Sequence, residues 1–276
     1  MEPMMSIQPR VSVVMPVYNG MPFIAETVTS VLSQDYSNFS VDIVDNGSTD
    51  GTTEWLKGLS DPRVSVVYRR ITQPAAANWS QATELATGAF TKLVCADDVL
   101  EPNSLTIQVA AMLNTPEVVM AASRRNIING SGRILKRDYG LNGLNGVIEG
   151  SQAIRTCLRV GTNLLGEPLS VLFKTSALKA AMPWGGSSDY LTDLATYSRV
   201  ILGEGIVCLT DTLGSFRISR GSWTSRIQRD QENDFRQWRK EVTSGNLVPW
   251  TRRDALISSL NLRLRTHARH WYLRRA

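Results

Sequence analysis

The chain has 276 residues, 42% of them hydrophobic, with 30 Lys+Arg against 25 Asp+Glu, a globular composition long enough for one sizeable α/β domain. It has no apolar run of the ~18–20 residues a membrane span needs and no apolar signal core in residues 1–10; three scattered cysteines (Cys95, Cys157, Cys208) offer no disulfide framework and predict a reducing, cytoplasmic setting. The net charge of +5 is concentrated in residues 251–276, where seven arginines face Asp254 alone, so the body is near neutral and no nucleic-acid partner is expected.

Val11–Met15 reads as a buried first strand that stops at the turn Pro16-Val17-Tyr18-Asn19-Gly20. A helix is predicted from about Pro22 to Ser33, with Phe23, Val28, Val31 and Leu32 on its apolar side. Val41–Val44 is the second strand, ending at Asp45-Asn46-Gly47-Ser48-Thr49-Asp50-Gly51, where two glycines let backbone approach a ligand. Ser48 or Asp50 is positioned to cap the following helix, which carries Trp55 and Leu56. Val64–Tyr68 is a third strand, and residues 74–87 a helix closed by Gly88. Leu93-Val94-Cys95 reads as a short buried strand, followed by Ala96, the Asp97–Asp98 pair and a helix from Ser104. Strand–helix alternation at this spacing implies a mostly parallel sheet with helices on both faces.

The Asp97–Asp98 pair is the centre of interest. Adjacent carboxylates at the end of a buried strand repel one another and lose solvation, and a divalent cation shared with a polyphosphate would relieve both costs. An isolated Asp-Asp pair is more often a solvated turn, but here three strand ends (Pro16–Gly20, Asp45–Asp50, Asp97–Asp98) converge on the rim where open α/β sheets bind ligands. Neither Gly-x-Gly-x-x-Gly nor Gly-Lys-Ser/Thr is present. A nucleotide bound here would depend on Asp45 accepting from base or ribose, Asp98 holding a bridging metal, and Asp97 meeting ribose or metal-bound water.

Val13–Gly20, Ser30-Val31-Leu32-Ser33-Gln34, Val44–Thr52, Ala86-Thr87-Gly88 and Asp97-Asp98, in this order and spacing across residues 11–105, resemble glycosyltransferase family 2. The resemblance implies a GT-A fold, an inverting mechanism, a nucleotide-sugar donor and Mg²⁺ or Mn²⁺. It implies a glycosyltransferase domain over residues 1–225, with a nucleotide-sugar-binding half (10–105) and an acceptor half (106–225), and a basic helical extension over 226–276. Carried over, Pro16, Val17, Tyr18, Asn19, Asp45, Asn46, Gly47 and Asp97 line the nucleotide and Asp98 takes the metal. The chain departs at Ala96, where many members place the first acid of an Asp-x-Asp. A sugar-phosphate nucleotidyltransferase is the competing enzyme class, but its basic triphosphate loop has no counterpart in Pro16–Pro22. A catalytically silent glycan- or partner-binding relative is the third reading.

Farther on, Val118–Ala122 reads as a strand and residues 129–150 as a Gly- and Asn-rich surface loop. Gly166-Glu167-Pro168 turns into the strand Ser170–Lys174, Pro183–Gly186 forms another turn, and Leu191–Leu202 is a helix. Asp193 opens that helix, where an acid ordinarily just complements the dipole. The resemblance makes it the general base, ahead of Asp189 or Glu167. Phe216–Trp223 resembles a phosphate-contacting segment, although Arg217 reads equally as a surface ion-pair residue. In residues 252–275, Leu256, Ile257, Leu260, Leu264, His267 and Trp271 share one helical arc, with Ser258, Arg265 and Arg269 opposite. Such a helix either packs its stripe on the domain or lies on an anionic membrane. The resemblance suggests bacterial surface-polysaccharide assembly, with a glycan or lipid-linked glycan acceptor at the inner face of the cell membrane.

Overall fold

In the computed structural model, which describes residues 8–186, 188–219, 231–245 and 247–273 (189 and 263–273 as backbone only), strand β1 (Val11–Val17) is buried at every position. It lies between β2 (Phe39–Asp45) and β4 (Phe90–Leu93), parallel to both, and β3 (Val64–Tyr68) extends the parallel half beyond β2. Its alternating side chains serve two cores. Val11, Val13, Met15 and Val17 cluster with Ile24 and Val28 of α1 (Ile24–Leu32) and with Leu56 of α2 (Thr52–Lys57). Val14 joins the other core, with Ala82 of α3 (Ala75–Glu84). Each Val or Ile buried in this way contributes ~1.5–3 kcal/mol relative to exposure, and a strand apolar on both faces is what helix layers on both sides require. Pro16 is tolerated because the ladder to β4 ends at Val14, leaving a one-sided position for the missing N–H.

Beyond β4 the pairing is mixed. The strand order is β3-β2-β1-β4-β9-β6-β10-β5, with β5 spanning Val99–Leu100, β6 Val118–Asn129, β9 Val171–Lys174 and β10 Gly205–Ile218. β9 is antiparallel to β4 and β6, whereas β10 runs parallel to β6. Helices α4 (Ser104–Asn114), α5 (Gly150–Val160), α6 (Thr175–Ala180) and α7 (Thr192–Ile201) cover the sheet. The expected α/β architecture, one sheet with helices on both faces, is observed, but the sheet is mixed rather than mostly parallel: β3-β2-β1-β4 and β6-β10 pair parallel and the other pairings are antiparallel. Gly88 fastens the approach to β4 onto the start of β1: a Cβ there would stand 2.4 Å from the Arg10 carbonyl oxygen, and the Gly88 and Thr87 amides both donate to Ser12 Oγ.

Three further expectations are corrected. The strand before the acidic pair is Phe90–Leu93 rather than Leu93–Cys95, because hydrogen bonds from other segments draw residues 96–98 away from β1. The 129–150 stretch is not one loop. It holds strands β7 (Ile134–Tyr139) and β8 (Gly146–Glu149), paired to β6 and β10, and its Gly and Asn residues mark the turns between them.

The closing helix Arg252–Leu273 is present but faces the other way. Asp254, Ser258 and Leu262 are buried, while Leu256 and Leu260 are 73% and 60% exposed. Asp254 decides the orientation. It forms ion pairs with Arg155 and Arg159 of α5 at 2.9 and 3.3 Å and accepts from Thr251 at the helix start. With Asp254 inward, positions four and eight residues on must follow, whatever their polarity. The side chains of Leu264, Arg265, His267, Arg269 and Trp271 lie outside the described residues, as do residues 220–223.

Candidate active site

At the carboxyl end of the parallel strands, two loops close on each other before any ligand is involved. Asn19, in the left-handed region at φ 52°, donates its N–H to Ser48 Oγ and accepts from the Thr49 amide, both at 2.8 Å. Gly20 N and Met21 N donate to Thr52 Oγ1 and Asp50 Oδ2. Asp45 lies beneath this loop, with Oδ1 accepting from Ser48 N and Oγ and Oδ2 from Thr53 Oγ1. The Asn46 side chain exchanges two hydrogen bonds with the Gln73 backbone. Gly47, at φ +77°, leaves room for Thr72 and the Arg69 carbonyl. Of the predicted nucleotide-lining residues, Val17 is buried in the core, and Tyr18 stands 45% exposed at the mouth.

The acidic turn is held by α1. Thr27 Oγ1 donates to Ala96 O, Ser30 Oγ accepts from Leu100 N, and Gln34 donates to Glu101 O while accepting from Leu105 N. This gives the Ser30–Gln34 motif a physical role: polar side chains of α1 and of the residue just past its C-cap template residues 96–105. Arg217 completes the clamp and corrects its reading as a surface or phosphate residue. Its guanidinium is 2% exposed and is bonded to Asp97 O, Asn129 O and Glu26.

Asp98 is fully buried. Its Oδ1 accepts from the Arg217 N–H, and its Oδ2 has no partner. Burial raises Asp97 to about 6 against the opposing pull of Arg217. Burial and then the charge of Asp97 push Asp98 well above the carboxylate range. An orphaned carboxylate oxygen beside a second acid, both costly to ionise, suits a divalent cation with oxygen ligands. Among the described residues no group of three or more His, Cys, Asp or Glu is arranged to hold a metal. Such a cation would therefore draw its remaining ligands from ligand oxygens and water.

Helix α7 carries the second acid. Asp193, in the first turn of α7, accepts from its neighbour Leu194 N at 2.6 Å and from Asn163 Nδ2 at 2.8 Å. Burial, and next the charge of Glu167, raise it to about 7, while its two hydrogen bonds and Arg125 pull the other way. Glu167 is bound bidentately by the buried Arg125, at 2.6 and 3.0 Å, and Arg125 lies 4.8 Å from the Tyr139 ring centroid. The side chain of Asp189 is outside the described residues.

The Cys95 thiol is pushed well above the ordinary range by burial and then by the charges of Asp98, Asp97, Asp193 and Glu167, so acids from three segments distant in sequence act on one buried position. Glu26, Arg125 and Asn163 are not legible in the sequence as site residues, and Arg217 is legible only as a phosphate or surface residue, because each acts through partners remote in sequence.

A family model described as Glycosyl transferase family 2 matches residues 12–165. The chain is 34% identical over 108 residues to the putative colanic acid biosynthesis glycosyl transferase WcaA of Escherichia coli K12, covering 38% of this chain and 39% of that protein. It is 31% identical over 121 residues to the E. coli UDP-Glc:alpha-D-GlcNAc-diphosphoundecaprenol beta-1,3-glucosyltransferase WfgD, covering 44% and 48%. The matches thus span less than half the length of these curated relatives. Among solved structures, Staphylococcus aureus TarS 1-349 in complex with UDP-GlcNAc superposes with TM-score 0.70 at 19% identity, over 92% of this chain and 71% of that one. The mannosyltransferase PcManGT from Pyrobaculum calidifontis, in complex with GDP-Man and Mn²⁺, superposes with TM-score 0.56 at 16% identity, over 96% and 84%.

Proposed function

The chain belongs to glycosyl transferase family 2, and from that premise we propose that it is an inverting glycosyltransferase, moving a sugar from a nucleoside-diphosphate donor to a hydroxyl of a glycan acceptor. One observation carries the reading: the orphaned Asp98 oxygen and the raised Asp193 carboxyl both belong to the set of buried acids whose charges act on Cys95. Inversion needs one displacement, with a base on the acceptor side and charge neutralisation on the donor side.

Asp193 takes the acceptor hydroxyl proton. A carboxyl at about 7 is matched to base work at neutral pH, whereas both oxygens of Glu167 are spent on Arg125. Asn163 and the Leu194 amide orient the carboxylate. Asp98, with Asp97, would hold Mg²⁺ or Mn²⁺, which supplies charge stabilisation to the leaving diphosphate. The zipped loops around Asn19, Asp45 and Asn46 would seat the nucleoside, with Tyr18 over its base.

The UDP-GlcNAc of TarS and the GDP-Man of PcManGT make uridine and guanosine donors the first to try. The relatives' names favour a lipid-linked glycan acceptor in bacterial polysaccharide synthesis. Such an acceptor suits the closing helix, whose exposed Leu256 and Leu260 stand beside Arg252 and Arg253. Apolar residues flanked by arginines fit an anionic membrane surface at the cytoplasmic face. No helix among the described residues is long and apolar enough to cross a membrane.

The test is a donor panel with Mg²⁺, Mn²⁺ or chelator, scored by nucleoside diphosphate release. Turnover of at least one donor, lost with chelator, is expected. Absence of turnover and of nucleotide-induced thermal stabilisation across the panel would overturn the reading.

A further inference from the structure

The clamp on the acidic turn closes at Arg217, a residue that touches no open part of the cleft. We propose that Arg217 is a positioning residue for cation binding, holding the Asp97–Asp98 turn so that Asp98 presents its free oxygen to a divalent metal. This rests on the glycosyltransferase reading of the same cleft.

A guanidinium buried to 2% exposure is tolerated only if its charge and its donors are matched. Here Nη2 donates to Glu26 Oε2 at 2.6 Å, Nε to Asp97 O at 2.8 Å and Nη1 to Asn129 O at 3.2 Å. The Phe23 ring lies beneath, its centroid 4.6 Å from the guanidinium carbon. All three nitrogens are engaged inward, so the side chain is committed to the protein rather than to a phosphate.

The same residue grips the turn twice. Its side chain holds the Asp97 carbonyl, and its main-chain N–H donates to Asp98 Oδ1 at 3.2 Å. Asp98 Oδ2 is thereby left buried without a partner, a state that costs free energy unless something else satisfies it. Arg217 thus ties four segments together: the end of β10, the acidic turn, the end of β6 at Asn129, and α1 through Glu26 and Phe23. A lysine has one compact ammonium and cannot span those three acceptors in a fixed plane. Supports of this kind behind a metal ligand typically govern metal affinity 10–100-fold.

The experiment titrates the full chain with Mn²⁺ alone, following free Mn²⁺ by electron paramagnetic resonance. Transfer rates are then measured across a range of Mn²⁺ concentrations. Wild type should take up one Mn²⁺, and Asp98→Asn should lose it. Arg217→Lys should bind roughly 10–100-fold more weakly, with its transfer rate recovering as Mn²⁺ is raised. A purely structural defect would not recover in that way. Unchanged Mn²⁺ affinity in Arg217→Lys, or a rate loss that excess Mn²⁺ leaves in place, overturns the proposal. Should Arg217→Lys fail to fold, Glu26→Gln carries the test at a half-exposed carboxylate: weakened Mn²⁺ uptake supports the clamp, and unchanged uptake refutes it. Wild type that takes no Mn²⁺ yet turns over donor in chelator refutes the clamp while leaving the transferase reading standing.

Discussion

Asp193→Asn removes the proposed base with little change in shape. Its oxygen still accepts from Asn163, while the new amide group faces the Leu194 N–H in place of an acceptor. One lost hydrogen bond costs ~1 kcal/mol, offset in part because a buried charge is also removed. The melting temperature should therefore move by no more than about 2–4 °C. Transfer should fall by ~10²–10⁴, the range of general-base catalysis, with nucleotide binding retained.

The pH profile sharpens the test. Asp193 stands at about 7 through burial and then Glu167, opposed by Leu194 N, Asn163 and Arg125; its charge in turn acts on Tyr197, Cys157 and Cys95. The base works as the carboxylate, so the wild-type rate should level off above pH ~7 and fall about tenfold per unit below it. Glu167→Gln removes the like charge and should move this limb to lower pH. Stability carries the opposite sign: an acid with a raised folded pKa favours the native state below ~4 and loses that contribution as pH rises towards 7. Transfer by Asp193→Asn within threefold of wild type, or a limb unmoved by Glu167→Gln, would refute the assignment.

Gly88→Ala would set a Cβ 2.4 Å from Arg10 O and 2.9 Å from Ser12 N, so urea denaturation should show a loss of ~1–3 kcal/mol from forced backbone movement; a loss under about 0.5 kcal/mol would contradict the packing argument. Lys92 is fully buried, bonded to Gln108, and lowered to about 7 by burial. Its unfolded form takes a proton below ~10.4, so wild-type stability should rise by about 1–3 kcal/mol between pH 7 and 9.5; Lys92→Met should flatten that slope, and an unaltered slope would count against a neutral buried lysine. Leu256→Ser with Leu260→Ser, both at exposed positions, should abolish co-sedimentation with anionic vesicles, and salt should release the wild type; equal sedimentation of the two would leave the helix as structure alone.

Local patterning was sufficient for the first two strands and the loops that follow them. Val11–Val17 is a nearly continuous apolar run and Val41–Val44 a shorter one broken by Asp42, and a parallel strand covered by helices on both sides buries both. The glycines and small polar residues after them mark loops whatever the tertiary context. Asp97 and Asp98 stand out only through their place among three converging strand ends, and Asp193 only through the family resemblance, since an acid at a helix start ordinarily just complements the dipole. Other features depended on pairings that no local window contains. Residues 129–150 are strand-bearing only because β6 and β10 offer edges to pair with. The closing helix turns Leu256 and Leu260 outward because two arginines on α5, about a hundred residues earlier, claim Asp254. Arg217 looks like any surface arginine until Glu26, 191 residues away, and the Asp97 carbonyl are brought to it. Periodicity reports which face of an element is apolar; which partner satisfies a buried charge is a long-range choice, and only the assembled fold makes it.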